Sequence, residues 1–201
     1  MRTIQAVVFD IGNVLVQWQP EAFYDTIMPR ARRDAMFASV DLHFMNERID
    51  RGESFRDTVY GVAAEHPEFA AEIRLWHDRW SDIATPAVPG TAQLAQMLRR
   101  RGTQTFLLSN IGAEPFRLAC DTYPDLKDFD RAFVSGAMGT TKPGERIYQM
   151  VEDDCRIAPE GLLFIDDRQE NLDMALARGW NGHLFTDATT LEADLSQRGM
   201  L

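Results

Sequence analysis

Short apolar runs alternate with amphipathic segments over most of the chain. The apolar runs are rich in β-branched residues, as in buried strands, whereas the amphipathic segments repeat at helical spacing. The predicted strands lie at residues 4–10, 103–108 and 162–166, with weaker candidates at 131–135 and 181–185. The predicted helices run from Pro89-Gly90 to Arg101, over about residues 144–156, and from Gln169 to Arg178. This alternation predicts an α/β fold with a parallel sheet.

Residues from about 18 to 86 break the alternation. This segment looks entirely helical and rich in aromatic residues, with turns near Pro29, Asp50-Arg51-Gly52 and His66-Pro67. Because it follows the first strand directly, we expect a helical insert folded over the C-terminal edge of the sheet. The predicted organisation is a Rossmann-like core of residues 1–16 and 87–201 with a helical cap of residues 17–86.

Length and charge narrow the possible functions. A chain of 201 residues suits one core domain with an insertion. The net charge of −10 argues against broad binding to nucleic acids or anionic membranes, because both need a basic surface. Cys120 and Cys155 lie far apart without metal-ligand spacing, which favours reduced thiols. With no signal peptide or membrane-length apolar run, we expect a cytoplasmic monomer or homodimer.

Polar residues follow three of the predicted strands. Asp10, Ser109 and the pair Asp166-Asp167 each stand where an apolar run ends. In a parallel α/β sheet the ligand site lies outside the carboxyl ends of the strands. A single aspartate at such a place is usually a turn or helix-cap residue. Three strands that each deliver polar groups to one edge instead favour a functional site.

The residue types at this edge suit phosphoryl transfer through a covalent intermediate. Asp10 can attack phosphorus, and a divalent cation is then needed to offset the repulsion between the two anions. Mg²⁺ prefers oxygen ligands, which Asp10, Asp167 and the Gly12 carbonyl can supply, with Asp166 acting through water. We expect Ser109, Asn110 and Lys142 to hold the phosphate. Lysine is rare in this chain, with only Lys127 and Lys142 beside 19 arginines, which favours a specific role for Lys142.

Four segments in order resemble the motifs of the haloacid dehalogenase superfamily of hydrolases. They are Phe9-Asp10-Ile11-Gly12-Asn13-Val14, Leu108-Ser109-Asn110, Lys142-Pro143, and Phe164-Ile165-Asp166-Asp167 with Asn171. The resemblance implies a Rossmann-like core with a small helical cap, Asp10 as nucleophile, and Asn171 as a residue that orients the metal-binding loop. Gly139-Thr140-Thr141-Lys142-Pro143 and Arg146-Ile147-Tyr148 are similar to a bacterial subgroup that includes an α-D-glucose-1-phosphate phosphatase.

Gly12 is a departure from most phosphatases of the superfamily, which carry a second aspartate at this position as general acid and base. Such help is worth about 10²–10⁴-fold in rate, so its absence should slow the hydrolysis of ordinary alkyl phosphates. A sugar phosphate linked at the anomeric carbon has a better leaving group and would suffer less. Asn13 is the nearest polar replacement, but an amide is a poor general acid. The sequence does not identify the group that activates the attacking water.

Three functions therefore compete. The favoured one is a Mg²⁺-dependent phosphatase for a small phosphorylated metabolite; the others are a metal-independent 2-haloacid dehalogenase and a non-catalytic binding protein.

The turn Asp50-Arg51-Gly52-Glu53 could reach the site from the predicted cap. Candidate substrate contacts are Arg48, Arg51, His43 and Trp76, although surface arginines and core aromatics are more common at such positions.

Overall fold

The computed structural model describes residues 4–201 and forms an α/β fold. The strands are β1 (Ala6–Phe9), β2 (Val16–Trp18), β3 (Ala84–Ala87), β4 (Gln104–Ser109), β5 (Arg131–Val134), β6 (Leu162–Asp166) and β7 (Asn181–Leu184). The helices are α1 (Pro20–Ile27), α2 (Arg30–Ser39), α3 (Leu42–Asp50), α4 (Phe55–Glu65), α5 (Ala70–Asp78), α6 (Trp80–Ile83), α7 (Thr91–Arg100), α8 (Ala113–Thr122), α9 (Ser135–Met138), α10 (Glu145–Cys155), α11 (Gln169–Ala177) and α12 (Ala188–Gln197). Short 3₁₀ helices lie at Pro124–Asp128 and Pro159–Gly161.

A five-stranded parallel sheet forms the core, in the order β5-β4-β1-β6-β7. The central strand β1 is fully buried, because helices cover both faces of the sheet. Phe9 at its end lies opposite Leu107 of β4 and Ile165 of β6. The residues that follow these three strands are therefore neighbours at one edge, as the sequence predicted.

The predicted α/β fold and parallel sheet are confirmed, and each predicted strand and helix of the core forms within about two residues of its expected ends. Helices α8, α9 and α12 had no predicted counterpart. Residues 1–3 of the predicted core lie outside the described residues. None of the helices formed by residues 4–201 combines the length and apolar character that crossing a bilayer requires.

The predicted insert is not entirely helical. Helices α1–α6, here called the helical segment, span Pro20–Ile83, and turns occur where they were predicted. At its two ends, however, β2 and β3 pair as an antiparallel ribbon, with Val16 opposite Ala87 and Trp18 opposite Ala84. The chain leaves the core along β2 and returns along β3, and the backbone N–H and C=O groups of these two strands hydrogen-bond to each other. The boundary proposed at 17–86 crosses this ribbon and stays a prediction.

Candidate active site

Lys142 is the centre of a buried ionic cluster at the carboxyl edge of the sheet. It lies in the loop between α9 and α10, and its side chain is almost fully buried. Its ammonium nitrogen lies 2.7 Å from Asp166 Oδ2, 3.0 Å from Asp10 Oδ1 and 3.0 Å from the Leu108 carbonyl oxygen. Burial lowers the pKa of Lys142, but the two carboxylates outweigh it and raise the pKa above its ordinary value. Lys142 is therefore a fixed positive charge.

Asp10 directly follows β1 and is held by three neighbouring groups. Its Oδ1 atom accepts a hydrogen bond from the Ile11 amide at 2.7 Å, and the Ser109 hydroxyl also bonds to the carboxylate. Burial raises the pKa of Asp10 to about 6, against the opposing effect of Lys142. At neutral pH the group is mainly a carboxylate, the form that can attack an electrophile.

Three carboxylates, Asp10, Asp166 and Asp167, form an acidic cluster that fits a divalent cation. One oxygen from each lies within 4.8 Å of the others, and hard oxygen donors are the set that Mg²⁺ prefers. Asp167 is oriented by Asn13, whose side-chain amide donates to Asp167 Oδ2 at 3.0 Å. Asn13 has a φ of 55°, a left-handed conformation that asparagine tolerates.

Both carboxylate oxygens of Asp166 accept hydrogen bonds from protein groups. Asn171 donates to both of its oxygens, at 2.9 and 3.0 Å, and the Arg168 amide donates to Oδ1 at 2.8 Å. Lys142 occupies Oδ2. Asn171 therefore contacts Asp166 directly, and its role in orienting the metal-binding loop stays a prediction, as does the action of Asp166 through water.

Asn110 was expected to bind phosphate, but its side chain is directed at the Lys142 backbone. Its Nδ2 donates to the Lys142 carbonyl at 2.9 Å, and its Oδ1 accepts from the Lys142 amide at 2.8 Å. Both ends of the carboxamide are therefore used in holding the loop. We assign Asn110 a positioning role and leave the side-chain phosphate contacts to Ser109 and Lys142.

A cavity of about 720 Å³ opens over the ionic cluster, within the size range of small-molecule sites. The core contributes Asp10, Gly12, Ser109, Lys142 and Asp167 to its wall. The helical segment and the β2–β3 ribbon contribute the opposite wall, which includes Gln17, Trp18, Asp41, Phe44, Asn46 and Asp50. The cavity therefore lies between the sheet edge and the helices predicted to cover it.

The candidate substrate contacts fall in different places. His43 lines the cavity, with Nε2 3.3 Å from Glu21 Oε1. Arg51 lies instead beside a smaller depression and pairs with Glu47, and Arg48 pairs with Glu53 at 2.7 Å. Trp76 is fully buried in the hydrophobic core. Arg51 does not line the main cavity, so its contact with the substrate stays a prediction, whereas Trp76 packs in the core.

Asp50 was missed as a functional candidate, although the turn that contains it was expected to reach the site. It is the last residue of α3 and lines the cavity opposite the ionic cluster. The available signal was an aspartate directly before an Arg-Gly turn. That signal is weak, since such residues usually end a helix.

Residues 4–179 match the profile of the haloacid dehalogenase-like hydrolases, and the chain belongs to this family of enzymes. It is similar to the sesquiterpene phosphatase astK of Aspergillus oryzae, with 26% identity over 203 residues that cover 97% of this chain and 96% of the relative. It is also 24% identical to the drimenol cyclase drtB of Aspergillus calidoustus, covering 96% of this chain; the match spans 36% of that protein's length.

Solved structures show the same fold at low sequence identity. A family enzyme of Bacteroides thetaiotaomicron, in complex with magnesium and inorganic phosphate, superposes with a TM-score of 0.68 at 20% identity, covering 92% of this chain and 95% of that one. The L-2-haloacid dehalogenase of Xanthobacter autotrophicus, with chloropropionic acid covalently bound, superposes with a TM-score of 0.64 at 17% identity. The match covers 99% of this chain and 85% of that one. The fold is therefore compatible with either chemistry, and the site residues must distinguish them.

Proposed function

We propose that this protein is a Mg²⁺-dependent phosphatase that hydrolyses a small phosphorylated metabolite through an aspartyl-phosphate. The observation that carries the proposal is the position of the Asp10 carboxylate, between Lys142 and Ser109 and within the acidic cluster. A carboxylate nucleophile, a fixed cation and a cation-binding cluster at one cavity are the parts that phosphoryl transfer needs.

The reaction has two displacements at phosphorus. In the first, a carboxylate oxygen of Asp10 attacks phosphorus as the bond to the leaving oxygen breaks. In the second, a water oxygen attacks the same phosphorus, the bond to Asp10 breaks, and phosphate leaves with the carboxylate restored. Lys142 and Ser109 stabilise the phosphoryl oxygens in both steps. Bound Mg²⁺ would neutralise the charge shared by the acidic cluster and the phosphoryl group.

The acidic cluster favours phosphate over a halogenated acid as the substrate. Without a cation, Asp167 would stand beside the carboxylate of a 2-haloacid and repel it. A phosphoryl group that shares a cation with the cluster meets no such penalty. We therefore rank dehalogenation below phosphatase activity.

The wall formed by the helical segment and the β2–β3 ribbon favours a sugar as the leaving group. Gln17, Asp41, Asn46 and Glu47 bring amides and carboxylates into the cavity, and these groups can bond to several hydroxyls. Packing a hydrocarbon against them would remove water from polar groups without replacing its hydrogen bonds, which costs about 1–3 kcal/mol for each group.

An isoprenoid phosphate is the second candidate substrate. Trp18, Phe44 and Trp80 add a substantial apolar surface to the same wall, and the side chain of Phe44 is about half exposed. The relative from Aspergillus oryzae is named a sesquiterpene phosphatase. A hydrocarbon chain that lay along these three residues would pack against apolar groups and not against the carboxylates of the wall.

A phosphate-release assay with Mg²⁺ tests both the reaction and the leaving group. The panel contains hexose 1-phosphates, an isoprenoid monophosphate, an aryl phosphate, and 2-chloropropionate in EDTA. We expect phosphate release that EDTA and Asp10→Asn abolish, whereas Asp128→Asn, at an exposed position outside the cavity, retains it. Full activity of Asp10→Asn would refute the proposal. Halide release in EDTA would favour the dehalogenase, and a flat panel would favour a binding protein.

A further inference from the structure

Position 12, where most phosphatases of the superfamily carry their general acid, is a glycine in this core, and the helical segment carries a carboxyl group that can replace it. Gly12 has no side chain to protonate a leaving group. Asp50 lines the same cavity from the opposite wall. We propose that Asp50 is the general acid and general base of the phosphatase reaction, an inference that rests on the proposed function.

Three glycines, Gly52, Gly112 and Gly136, lie where the backbone around Asp50 contacts the core. Gly52 has a φ of 107°, and a Cβ there would lie 2.7 Å from the Gly136 carbonyl oxygen. A Cβ on Gly112 would meet Ile49 Cγ2 at 2.7 Å. A side chain at either glycine would force the turn away, so these glycines permit the close approach that brings Asp50 into the cavity.

Ser135 fixes the turn that carries Asp50 to the loop after β4. Its hydroxyl donates to the Asp50 carbonyl at 2.6 Å and accepts from the Ile111 amide at 2.9 Å. Ser135 is fully buried, so this bridge is shielded from water. The bridge ties Asp50 to the segment that follows Ser109 and thus to the phosphate side of the cavity.

The Asp50 carboxyl group is oriented by neutral donors. Trp76 Nε1 donates to Asn46 Oδ1 at 3.1 Å, which directs the Asn46 amide nitrogen to Asp50 Oδ2 at 2.9 Å. Because a tryptophan nitrogen can only donate, this contact fixes which end of the Asn46 carboxamide faces Asp50. The Gly112 amide also bonds to the Asp50 carboxyl group.

Burial and the nearby carboxylates favour the protonated form of Asp50. Burial raises the pKa of Asp50 well above its ordinary value; Asp10 and Glu47 raise it further, while the Gly112 amide and Lys142 oppose them. Raised carboxyl pKa values of this kind are typical of general acids.

The other carboxylates of this wall already have partners. Asp41 caps α3 by accepting from the Phe44 amide at 2.8 Å, and Glu47 pairs with Arg51. Glu21 lies beside His43. Asp50, held only by uncharged donors among its hydrogen-bond partners in residues 4–201, is the best placed of the four to exchange a proton.

Asp50 gives up a proton in the first step and takes one back in the second. As Asp10 attacks phosphorus and the bond to the leaving oxygen breaks, the Asp50 carboxyl gives its proton to that oxygen, which leaves as an alcohol. Asp50 is then a carboxylate. It takes a proton from the water that attacks the aspartyl-phosphate, and the bond between phosphorus and Asp10 breaks. Both carboxyl groups return to their starting states.

Asp50→Asn tests this role when leaving groups of different acidity are compared. An alkyl phosphate needs protonation of its leaving oxygen, whereas an activated aryl phosphate leaves as a stable phenolate. We expect Asp50→Asn to lower kcat/KM for the alkyl phosphate by about 10²–10⁴-fold, with a much smaller loss for the aryl phosphate. It should also accumulate aspartyl-phosphate, because hydrolysis has lost its base. Asp128→Asn removes a charge at an exposed position outside the cavity, so its profile should match the unsubstituted protein.

Equal losses for both substrates, or no loss, would overturn the proposal. If Asp50→Asn does not fold, the leaving-group dependence of the unsubstituted protein decides: a shallow dependence of kcat/KM on leaving-group pKa supports an acid catalyst, and a steep one excludes it. Failure of the phosphatase proposal itself gives a different result from failure of the Asp50 role, because the unsubstituted protein would then release no phosphate even from the aryl substrate.

Discussion

Asn110 and Lys142 are joined by two hydrogen bonds between one side chain and one peptide unit: the Asn110 carboxamide donates to the Lys142 carbonyl and accepts from the Lys142 amide. This pairing fixes the backbone from which the Lys142 ammonium reaches Asp10 and Asp166. A polar residue at the end of β4 thus serves the site by holding a second loop, about 30 positions further along the chain.

Asn110→Ala should therefore impair both stability and activity. It leaves two backbone groups of Lys142 without partners, and each unpaired group costs about 1–3 kcal/mol if water does not replace the bond. Denaturant unfolding measures the first effect and phosphate release the second. Asn181→Ala is the matched control, since Asn181 also binds two backbone carbonyls, those of Glu160 and Leu162, away from the cavity. Equal loss of activity in both variants would contradict the positioning role.

Lys142→Met should be among the most destabilising single changes in the core. It leaves Asp10 and Asp166 without their shared cation, and breaking a buried pair in this way costs about 3–5 kcal/mol. Lys127→Met removes the other lysine, whose exposed pair with Asp121 should contribute about 0–1 kcal/mol. Urea unfolding of both variants provides the comparison; similar midpoints would show that Lys142 is not a buried electrostatic centre.

Gly12→Asp should restore alkyl phosphate hydrolysis to the Asp50→Asn variant. A Cβ at position 12 meets no atom within 4 Å, and Gly12 lines the cavity, so a side chain can begin at the position where most superfamily phosphatases carry their second aspartate. We expect recovery of part of the about 10²–10⁴-fold loss, measured as kcat/KM. Gly12→Asn is the control, because it has nearly the same size and no acid. Equal recovery by both would mean that the added side chain acts without proton transfer.

Glu152 gives a prediction about acid stability that is independent of the active site. It accepts hydrogen bonds from Arg178 at 2.7 and 2.9 Å and from Trp180 at 2.7 Å. Burial raises the pKa of Glu152, but these bonds outweigh it and lower the pKa below the ordinary value of 4.5. Its stabilisation is therefore complete above pH 4.5 and is lost as the pH falls through the lower folded-state pKa.

Glu152→Gln should then lose about 1.5–3 kcal/mol at pH 7, the usual range for hydrogen bonds to a charged group, and less at acidic pH. Thermal unfolding across pH 3–7 measures the difference. Glu170→Gln, in an exposed pair with Arg168, is the control and should unfold like the unsubstituted chain. A Glu152→Gln deficit that grew on acidification would contradict the assigned sign of the pKa shift.

The sheet and the residues at its edge could be predicted because their signals are local. Each of β1, β4 and β6 contains an apolar run with a polar residue at its end or directly after it, and parallel pairing brings those ends together. The β2–β3 ribbon could not be read in this way. Its strands have three and four residues, one contains Pro86, and their pairing depends on where the chain re-enters the core.

The roles of Asn110 and Asp50 were missed because they depend on contacts between distant segments. The motif around Ser109 indicates a phosphate site, but not that the next side chain is directed at Lys142. Asp50 reaches the cavity because Gly52, Gly112 and Gly136 let two turns meet, and nothing in the local sequence indicates that meeting. Arg51, the more obvious ligand for an anion, pairs instead with Glu47, one turn earlier on its helix.

The central claim, that Asp10 attacks phosphorus, is tested most directly by locating the phosphoryl group in the protein itself. The protein is mixed with Mg²⁺ and an activated aryl phosphate, quenched in acid within one turnover, and digested for mass spectrometry. We predict one added phosphoryl group on the peptide that contains Asp10, stabilised in Asp50→Asn and absent in Asp10→Asn. Rapid turnover with no adduct on that peptide, or an unchanged rate in Asp10→Asn, would contradict the account.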